Sequence, residues 1–79
     1  MKGDSMNANK LKGKIIENGL NVAKTADLIN IHKSSFYRKL NGFDMFTVSE
    51  AVKLKEVLGL TNLEALEIFL SRSFYYEDV

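Results

Sequence analysis

The chain has 79 residues, of which 46% are apolar and 27% charged, and it contains no cysteine and no proline. This composition is ordinary for a folded domain and too apolar for intrinsic disorder, and the length allows one small core. Without cysteine there are no disulfide bonds and no thiolate metal sites. No stretch approaches the ~20 apolar residues of a membrane span, and the N-terminus lacks the apolar core of a signal peptide. We therefore expect a soluble cytoplasmic protein.

The charges are unevenly distributed, although the net charge is only +1. Residues 1–42 contain eight basic and three acidic side chains, whereas residues 43–79 contain three basic and seven acidic ones. Such an asymmetry suggests that one part of the chain binds a polyanion such as nucleic acid. The alternative is chance clustering on a solvated surface.

The first two predicted helices are short. We expect residues 1–6 to be a disordered N-terminus or an expression tag, and the folded domain to cover residues 7–72. Leu11, Ile15 and Ile16 recur at helical spacing, so the first helix is predicted over about residues 8–18, before Gly19. Asn21 is a good N-cap for a second helix, predicted over about residues 22–29.

The third predicted helix follows a tight turn. Asn30 is the kind of non-glycine residue that adopts the left-handed conformation, so the chain can reverse there. A helix is predicted after His32 as far as about Leu40, and Asn41-Gly42 is its stop signal. Phe36 and Leu40, four residues apart, give this helix one narrow apolar edge.

Two capping boxes mark the remaining helices. Thr47 with Glu50 precedes a helix predicted over about residues 48–58, and Thr61 with Glu64 precedes one over about residues 62–72. The last helix is apolar nearly all round, so we expect it to bury more than one face. The aromatic segment 73–79 could be a short strand, a docked tail or a frayed end. It is also a possible dimerisation element. Five short helices predict an all-α domain.

The second and third helices together form a predicted helix-turn-helix motif over about residues 22–41. The small Ala26 allows a close approach, and Ile31, Phe36 and Leu40 are expected to fix the crossing. The outer face of the third helix is then free to enter a DNA major groove. Four polar residues share an arc of about 140° on that face: Lys33, Ser34, Tyr37 and Arg38.

The chemistry of these four side chains suits the edges of bases. Lys33 and Arg38 can donate to guanine N7 and O6, Arg38 in bidentate fashion, and Ser34 can pair with several base edges. Tyr37 could contact a thymine methyl group or a phosphate. We therefore predict all four as base contacts.

The motif resembles the helix-turn-helix of the lambda-repressor/Cro-like family, also called the XRE family. Over about residues 11–70 the resemblance is carried by Ala26, Asn30, Ile31, His32 and Asn41-Gly42. It implies a five-helix lambda-repressor-like domain that regulates transcription by occupying an operator in the bacterial cytoplasm and nucleoid, as phage repressors and Cro proteins do. It further implies a homodimer on a palindromic site of double-stranded DNA.

The resemblance also implies phosphate contacts at the N-terminus of the second helix and at the third. Many family members begin the second helix with a phosphate-binding glutamine, whereas this chain has Val22, so Asn21 or Lys24 is expected to take that role. Lys10, Lys12 and Lys14 could add nonspecific attraction to phosphates, with solvated surface as the alternative. The predicted phosphate contacts are Asn21, Lys24, Ser35, Lys39, Asn41, Lys10 and Lys14.

The sequence gives little support for catalysis or for binding of a metal, a cofactor or a small molecule. His32 is the only histidine, and there is no glycine-rich phosphate loop or Ser/His/Asp set. We therefore expect no enzyme activity, no metal, no cofactor and no small-molecule ligand. The alternative to DNA binding is a helical protein-interaction module, such as an antitoxin or anti-repressor partner, that docks through the apolar fifth helix and the aromatic tail.

Overall fold

The protein is all-helical over residues 7–70, the part of the chain that the computed structural model describes. The helices are α1 (Ala8–Glu17), α2 (Val22–Leu28), α3 (Lys33–Leu40), α4 (Val48–Leu58) and α5 (Asn62–Ala65), and α5 continues as a π-helix over Leu66–Leu70. The all-α prediction is confirmed, with the four earlier helices ending within one residue of expectation. The predictions for residues 1–6, 71–72 and 73–79 lie outside the described residues.

Side-chain caps explain where these helices begin. The Glu50 N–H donates to the Thr47 hydroxyl and the Thr47 N–H donates to the Glu50 carboxylate, both at 3.0 Å. Thr61 and Glu64 repeat this arrangement at 3.0 and 3.1 Å at the start of α5. Both predicted capping boxes are therefore present, and each satisfies two backbone donors that the first helical turn leaves without partners.

The turn between α2 and α3 depends on a left-handed residue. Asn30 has φ of 66°, as its position predicted. The Ile31 N–H then donates to the Ala26 carbonyl at 3.0 Å, and Ile31 itself is half-buried. This tight turn brings α3 back against α2, with the small Ala26 only 1% exposed.

One apolar core holds the helices together. Phe36 lies at its centre with no exposed surface, and the Phe36 and Phe46 rings meet edge to face at 5.5 Å between centroids. Burying a large apolar side chain contributes about 1.5–3 kcal/mol, so these residues supply most of the stabilisation of so small a domain. The buried apolar residues are Leu11, Ile15, Ala26, Ile29, Phe36, Leu40, Leu54, Leu58, Leu60 and Ile68.

Thr25 is a core residue that the apolar pattern did not reveal. It is fully buried, and its hydroxyl donates to the Asn21 carbonyl at 2.7 Å. That local bond satisfies the hydroxyl inside the helix, so a polar side chain can lie in the core without a desolvation penalty.

Hydrogen bonds and ion pairs connect the two ends of the described chain. The Asn7 N–H donates to the Ile68 carbonyl at 2.8 Å, and the Lys14 ammonium lies 2.7 Å from the Glu64 carboxylate. The Asn18 side-chain amide also donates to the Leu58 carbonyl at 3.2 Å. As a result, α1 is fastened to the α4–α5 end of the domain.

The expectation that the fifth helix buries more than one face is not met in the described part of the chain. Ile68 is fully buried, but Leu63 is 64% exposed and Leu66 is 49% exposed. Val48 on α4 is 81% exposed as well. Within residues 7–70 the core lies on one side of α5, so an apolar surface is left on the other side.

Candidate nucleic-acid interface

The two faces of α3 have opposite character. Phe36 and Leu40 are buried against the rest of the domain. The four residues predicted to read bases are all exposed, and the Tyr37 side chain is 48% exposed. The sequence therefore folds so that one edge of an eight-residue helix anchors it while Lys33, Ser34, Tyr37 and Arg38 face outward together.

A histidine caps the N-terminus of α3. The Ser34 backbone N–H donates to His32 Nδ1 at 3.2 Å, and the Ser34 hydroxyl lies 2.9 Å from the same nitrogen. The tautomer with its proton on Nε2 lets Nδ1 accept this backbone bond. This arrangement holds Ser34 firmly in the first turn, which is the part of a recognition helix nearest to base edges.

Arg38 is held from two sides. Its Nε lies 2.8 Å from Asp44 Oδ2, and its guanidinium lies 5.6 Å from the centroid of the Phe43 ring. The Phe43 N–H also donates to the Arg38 carbonyl at 2.9 Å. The hydrogen bond with Arg38 holds the pKa of the Asp44 carboxyl below its usual range, so the pair is ionic at neutral pH.

This geometry leaves a useful part of the guanidinium exposed. Asp44 takes the Nε–H, and the two terminal amino groups of Arg38 form no hydrogen bond within residues 7–70. Those two groups are the ones that contact guanine N7 and O6 in a bidentate pair. Neither Phe43 nor Asp44 was predicted from the sequence, because their separation from Arg38 follows no helical period. Only the opposite charge of Asp44 could have suggested the pairing.

The predicted phosphate contact Lys39 does not lie on the outward face of α3. Its ammonium is 2.6 Å from the Glu50 carboxylate, and both side chains are only 14% exposed. Burial raises the pKa of Glu50, but hydrogen bonds from Lys39 and Thr47 outweigh it and the net pKa is lowered. Lys39 thus connects α3 to α4 rather than sharing the outward face of Arg38.

Lys10 and Lys14 are also paired with carboxylates. Lys10 lies 3.2 Å from Glu67, and Lys14 lies 2.7 Å from Glu64. The hydrogen bond from Lys14, aided by one from the Thr61 backbone, lowers the pKa of Glu64 from 4.5 to about 2. These two lysines fasten α1 to α5, so the structure does not group them with the polar face of α3.

The N-terminus of α2 and the flanks of α3 carry the other predicted phosphate contacts. Asn21 caps α2 by accepting from the Lys24 N–H at 2.8 Å, which leaves its amide NH₂ able to donate. Lys24 and Asn41 are exposed, whereas Ser35 is half-buried. Val22, which stands where the resemblance implies a glutamine, is half-buried and packs on the core. The Val22 side chain therefore contributes to packing of the core. Its polar neighbours in the sequence are Asn21 and Lys24.

An open concavity of about 640 Å³ lies along the α2–α3 turn. His32 and Lys33 contribute to it from the start of α3, and the exposed Asp27 contributes from α2. The acidic Asp27 therefore lies beside the basic outward face. Within residues 7–70 none of the helices has the length and hydropathy of a membrane span, and no three metal-binding side chains form a group there.

Comparison with protein families, curated proteins and solved structures found no match to this chain. The geometry of α2 and α3 and their exposed side chains are therefore the features from which a function can be inferred.

Proposed function

We propose that the protein is a sequence-specific DNA-binding transcriptional regulator of the lambda-repressor/Cro-like type, as in phages and prophages. In this proposal α2 and α3 act as a helix-turn-helix, and α3 enters the major groove of an operator. Bound protein would regulate by occupying the site, without any chemical reaction.

The outward face of α3 carries the proposal. An exposed patch with two cations, a hydroxyl and a tyrosine lies on one side of a helix whose other side is anchored by Phe36 and Leu40. His32 fixes the first turn of this helix, and Asp44 fixes Arg38 near its end. Recognition of bases requires donors held in place on a rigid element, and this face supplies them.

The phosphate contacts follow from what remains exposed. Asn21 and Lys24 at the start of α2 replace the absent glutamine, and Ser35 and Asn41 flank the reading face. Lys10, Lys14 and Lys39 would have to leave their carboxylate partners before contacting DNA, so we assign them a smaller part. One such module makes a small interface, so we propose a homodimer reading a palindrome with half-sites about one helical turn apart.

Selection from a random pool of duplex oligonucleotides, read by sequencing, tests the proposal directly. We expect enrichment of a palindromic sequence whose two halves are separated by about one turn of DNA. Binding measured at several salt concentrations should keep its sequence preference as affinity falls. A pool that shows no enrichment at any salt concentration would refute the proposal.

Replacing Arg38 tests the assigned readout. We predict that Arg38→Ala weakens operator binding by about 1–3 kcal/mol and relaxes preference at one base pair per half-site, because a bidentate contact to guanine is lost. The matched control is Lys53→Ala, which removes one exposed positive charge from α4. Gel-shift titration measures both variants, and an equal effect from both would mean that Arg38 contributes only charge.

A second candidate function is a helical protein-interaction module, favoured by the apolar surface on α4 and α5. Val48, Val52 and Leu66 are exposed there. This candidate predicts DNA binding that salt erases and that has no sequence preference, together with a stable complex with another protein. The same selection experiment separates the two candidates.

A further inference from the structure

Two large apolar side chains are exposed on the loop between α3 and α4. Phe43 is 70% exposed and Met45 is 74% exposed. Phe46, at the end of the same loop, is half-buried, and its ring packs edge to face on Phe36 in the core. One aromatic residue of this loop therefore contributes to the core, while another remains in water, where an apolar ring is unfavourable.

The exposed Phe43 lies beside the outward face of α3. Its backbone N–H donates to the Arg38 carbonyl at 2.9 Å, and its ring centroid lies 5.6 Å from the Arg38 guanidinium carbon. Asp44 binds the Nε of the same guanidinium at 2.8 Å. The Phe43 ring therefore occupies a defined place next to the side chain that is assigned to guanine in the proposed function.

The distance between the Phe43 ring and Arg38 is comparable with the spacing of base pairs. Successive base pairs are about 3.4 Å apart. When Arg38 contacts a guanine, a ring centred 5.6 Å from its guanidinium carbon is within reach of a neighbouring base pair. The apolar group that a base presents in the major groove is the C5-methyl of thymine, and phenylalanine is one of the side chains that contact it.

We propose that Phe43 reads the methyl group of a thymine in a base pair next to the guanine that Arg38 contacts. This inference rests on the proposed function and adds to it a specificity-determining residue outside α3. Each operator half-site then contains a guanine and a neighbouring thymine, read together by a cation and by the ring beside it. Burial of the methyl group against the ring removes apolar surface from water and supplies the preference.

Deoxyuridine tests this role of Phe43, because it pairs as thymidine does but lacks the methyl group. Selection is run on two random duplex pools, one with thymidine and one with deoxyuridine in its place. From the first pool the wild-type protein should enrich half-sites in which a thymine lies next to the guanine. From the second pool it should keep the guanine preference and lose the preference at the neighbouring position. In titrations of the selected duplex, deoxyuridine at that position should weaken binding about fourfold per half-site, as expected when one methyl group leaves an apolar contact.

Replacing Phe43 shows whether its ring is responsible. Phe43→Ala should bind the thymidine and deoxyuridine duplexes with equal affinity, and its fold should be intact because the side chain is exposed. Met45→Ala is the matched control, since it removes another exposed apolar side chain from the same loop, and it should discriminate between the duplexes as wild type does. A residue that merely restrained Arg38 would alter the guanine preference and leave this discrimination unchanged.

The outcomes distinguish failure of this proposal from failure of the proposed function. If neither pool yields an enriched sequence, DNA recognition is refuted and the role of Phe43 with it. If a palindrome is enriched but wild type binds its thymidine and deoxyuridine forms equally, DNA recognition stands and the role of Phe43 is overturned. Discrimination that Phe43→Ala retains, or that Met45→Ala also loses, would overturn it too.

Discussion

At the scale of single residues, two neighbours restrain the exposed side chain of Arg38. Asp44 binds its Nε at 2.8 Å and the Phe43 ring lies 5.6 Å from the guanidinium carbon. An arginine free in solution loses about 2 kcal/mol of rotamer entropy when it is fixed on a base. In the proposed complex less of it would be lost, because Asp44 and Phe43 already restrain the side chain. We infer that Asp44 is a positioning residue.

Replacement of Asp44 should separate positioning from charge. We predict that Asp44→Asn lowers the ratio of specific to nonspecific DNA affinity by roughly three- to tenfold, part of the 1–3 kcal/mol that a bidentate pair supplies. Nonspecific affinity should rise, because a negative charge near the phosphates is removed.

Asp27→Asn is the matched control for this experiment. It removes one negative charge from Asp27, an exposed residue beside Lys33. Among the described residues, Asp27 forms no ion pair with an arginine. We expect Asp27→Asn to raise the affinity for all DNA sequences without changing the ratio of specific to nonspecific affinity. Competition titrations with operator and random DNA measure both quantities, and equal ratios for the two variants would contradict a positioning role.

At the scale of helices, α3 is held in place by its polar flank as well as its apolar edge. Glu50 accepts from the Thr47 N–H at 3.0 Å and from Lys39 Nζ at 2.6 Å. One carboxylate therefore caps α4 and binds α3 at the same time. The Lys39 ammonium also lies 5.8 Å from the centroid of the Phe46 ring, and Phe46 contacts Phe36 in the core. These contacts therefore fix the position of the helix that carries the outward face.

Neutralising Glu50 should weaken this junction. We predict that Glu50→Gln destabilises the domain by about 1–2 kcal/mol, because the amide can still cap α4 while the largely buried Lys39 loses its counter-ion. Urea unfolding followed by circular dichroism gives the free energy of unfolding.

The control for Glu50→Gln lies on the same helix. Glu56 is exposed and forms no ion pair within residues 7–70. Glu56→Gln should therefore change stability by less than about 0.5 kcal/mol. If both variants lose the same stability, total charge rather than the Lys39 pair is responsible.

At the scale of the whole molecule, α1 and α5 close the described fold through charged contacts on its surface. Lys14 binds Glu64 at 2.7 Å, and this bond lowers the pKa of Glu64 from 4.5 to about 2. A carboxyl whose pKa is lower in the folded state stabilises the fold above its unfolded pKa, and that stabilisation is lost as the pH falls toward the folded value. The closure is therefore sensitive to acid.

We predict a corresponding pH dependence of stability. The melting temperature of the wild-type protein should fall between pH 4.5 and pH 2, the interval bounded by the two pKa values of Glu64. Glu64→Gln should be less stable than wild type at neutral pH, and the difference should shrink across this interval. Lys14→Gln should give a similar profile, since it removes the main cause of the lowered pKa. Differential scanning calorimetry at several pH values measures this, and a difference that stays constant with pH would contradict the assignment.

The helices, their caps and the two faces of α3 could all be predicted from local patterns in the sequence. These features depend on neighbours in the chain: apolar residues four apart, Thr and Glu three apart, and a left-handed Asn30. The same local logic grouped Lys33, Ser34, Tyr37 and Arg38, and the structure leaves all four exposed. DNA binding and the lambda-repressor-like arrangement remain predictions that rest on this face.

By contrast, the packing of the helices against one another determines which charges are paired and which apolar surfaces are covered. Lys39 meets Glu50 and Lys14 meets Glu64 across helices that are distant in sequence, so no helical period could reveal these pairs. The exposure of one side of α5 could not be predicted from the sequence either, because an apolar helix has the same sequence pattern whether one face is buried or two. Pairing and burial depend on which elements pack together in space, and among residues 7–70 the core covers α5 on one side only.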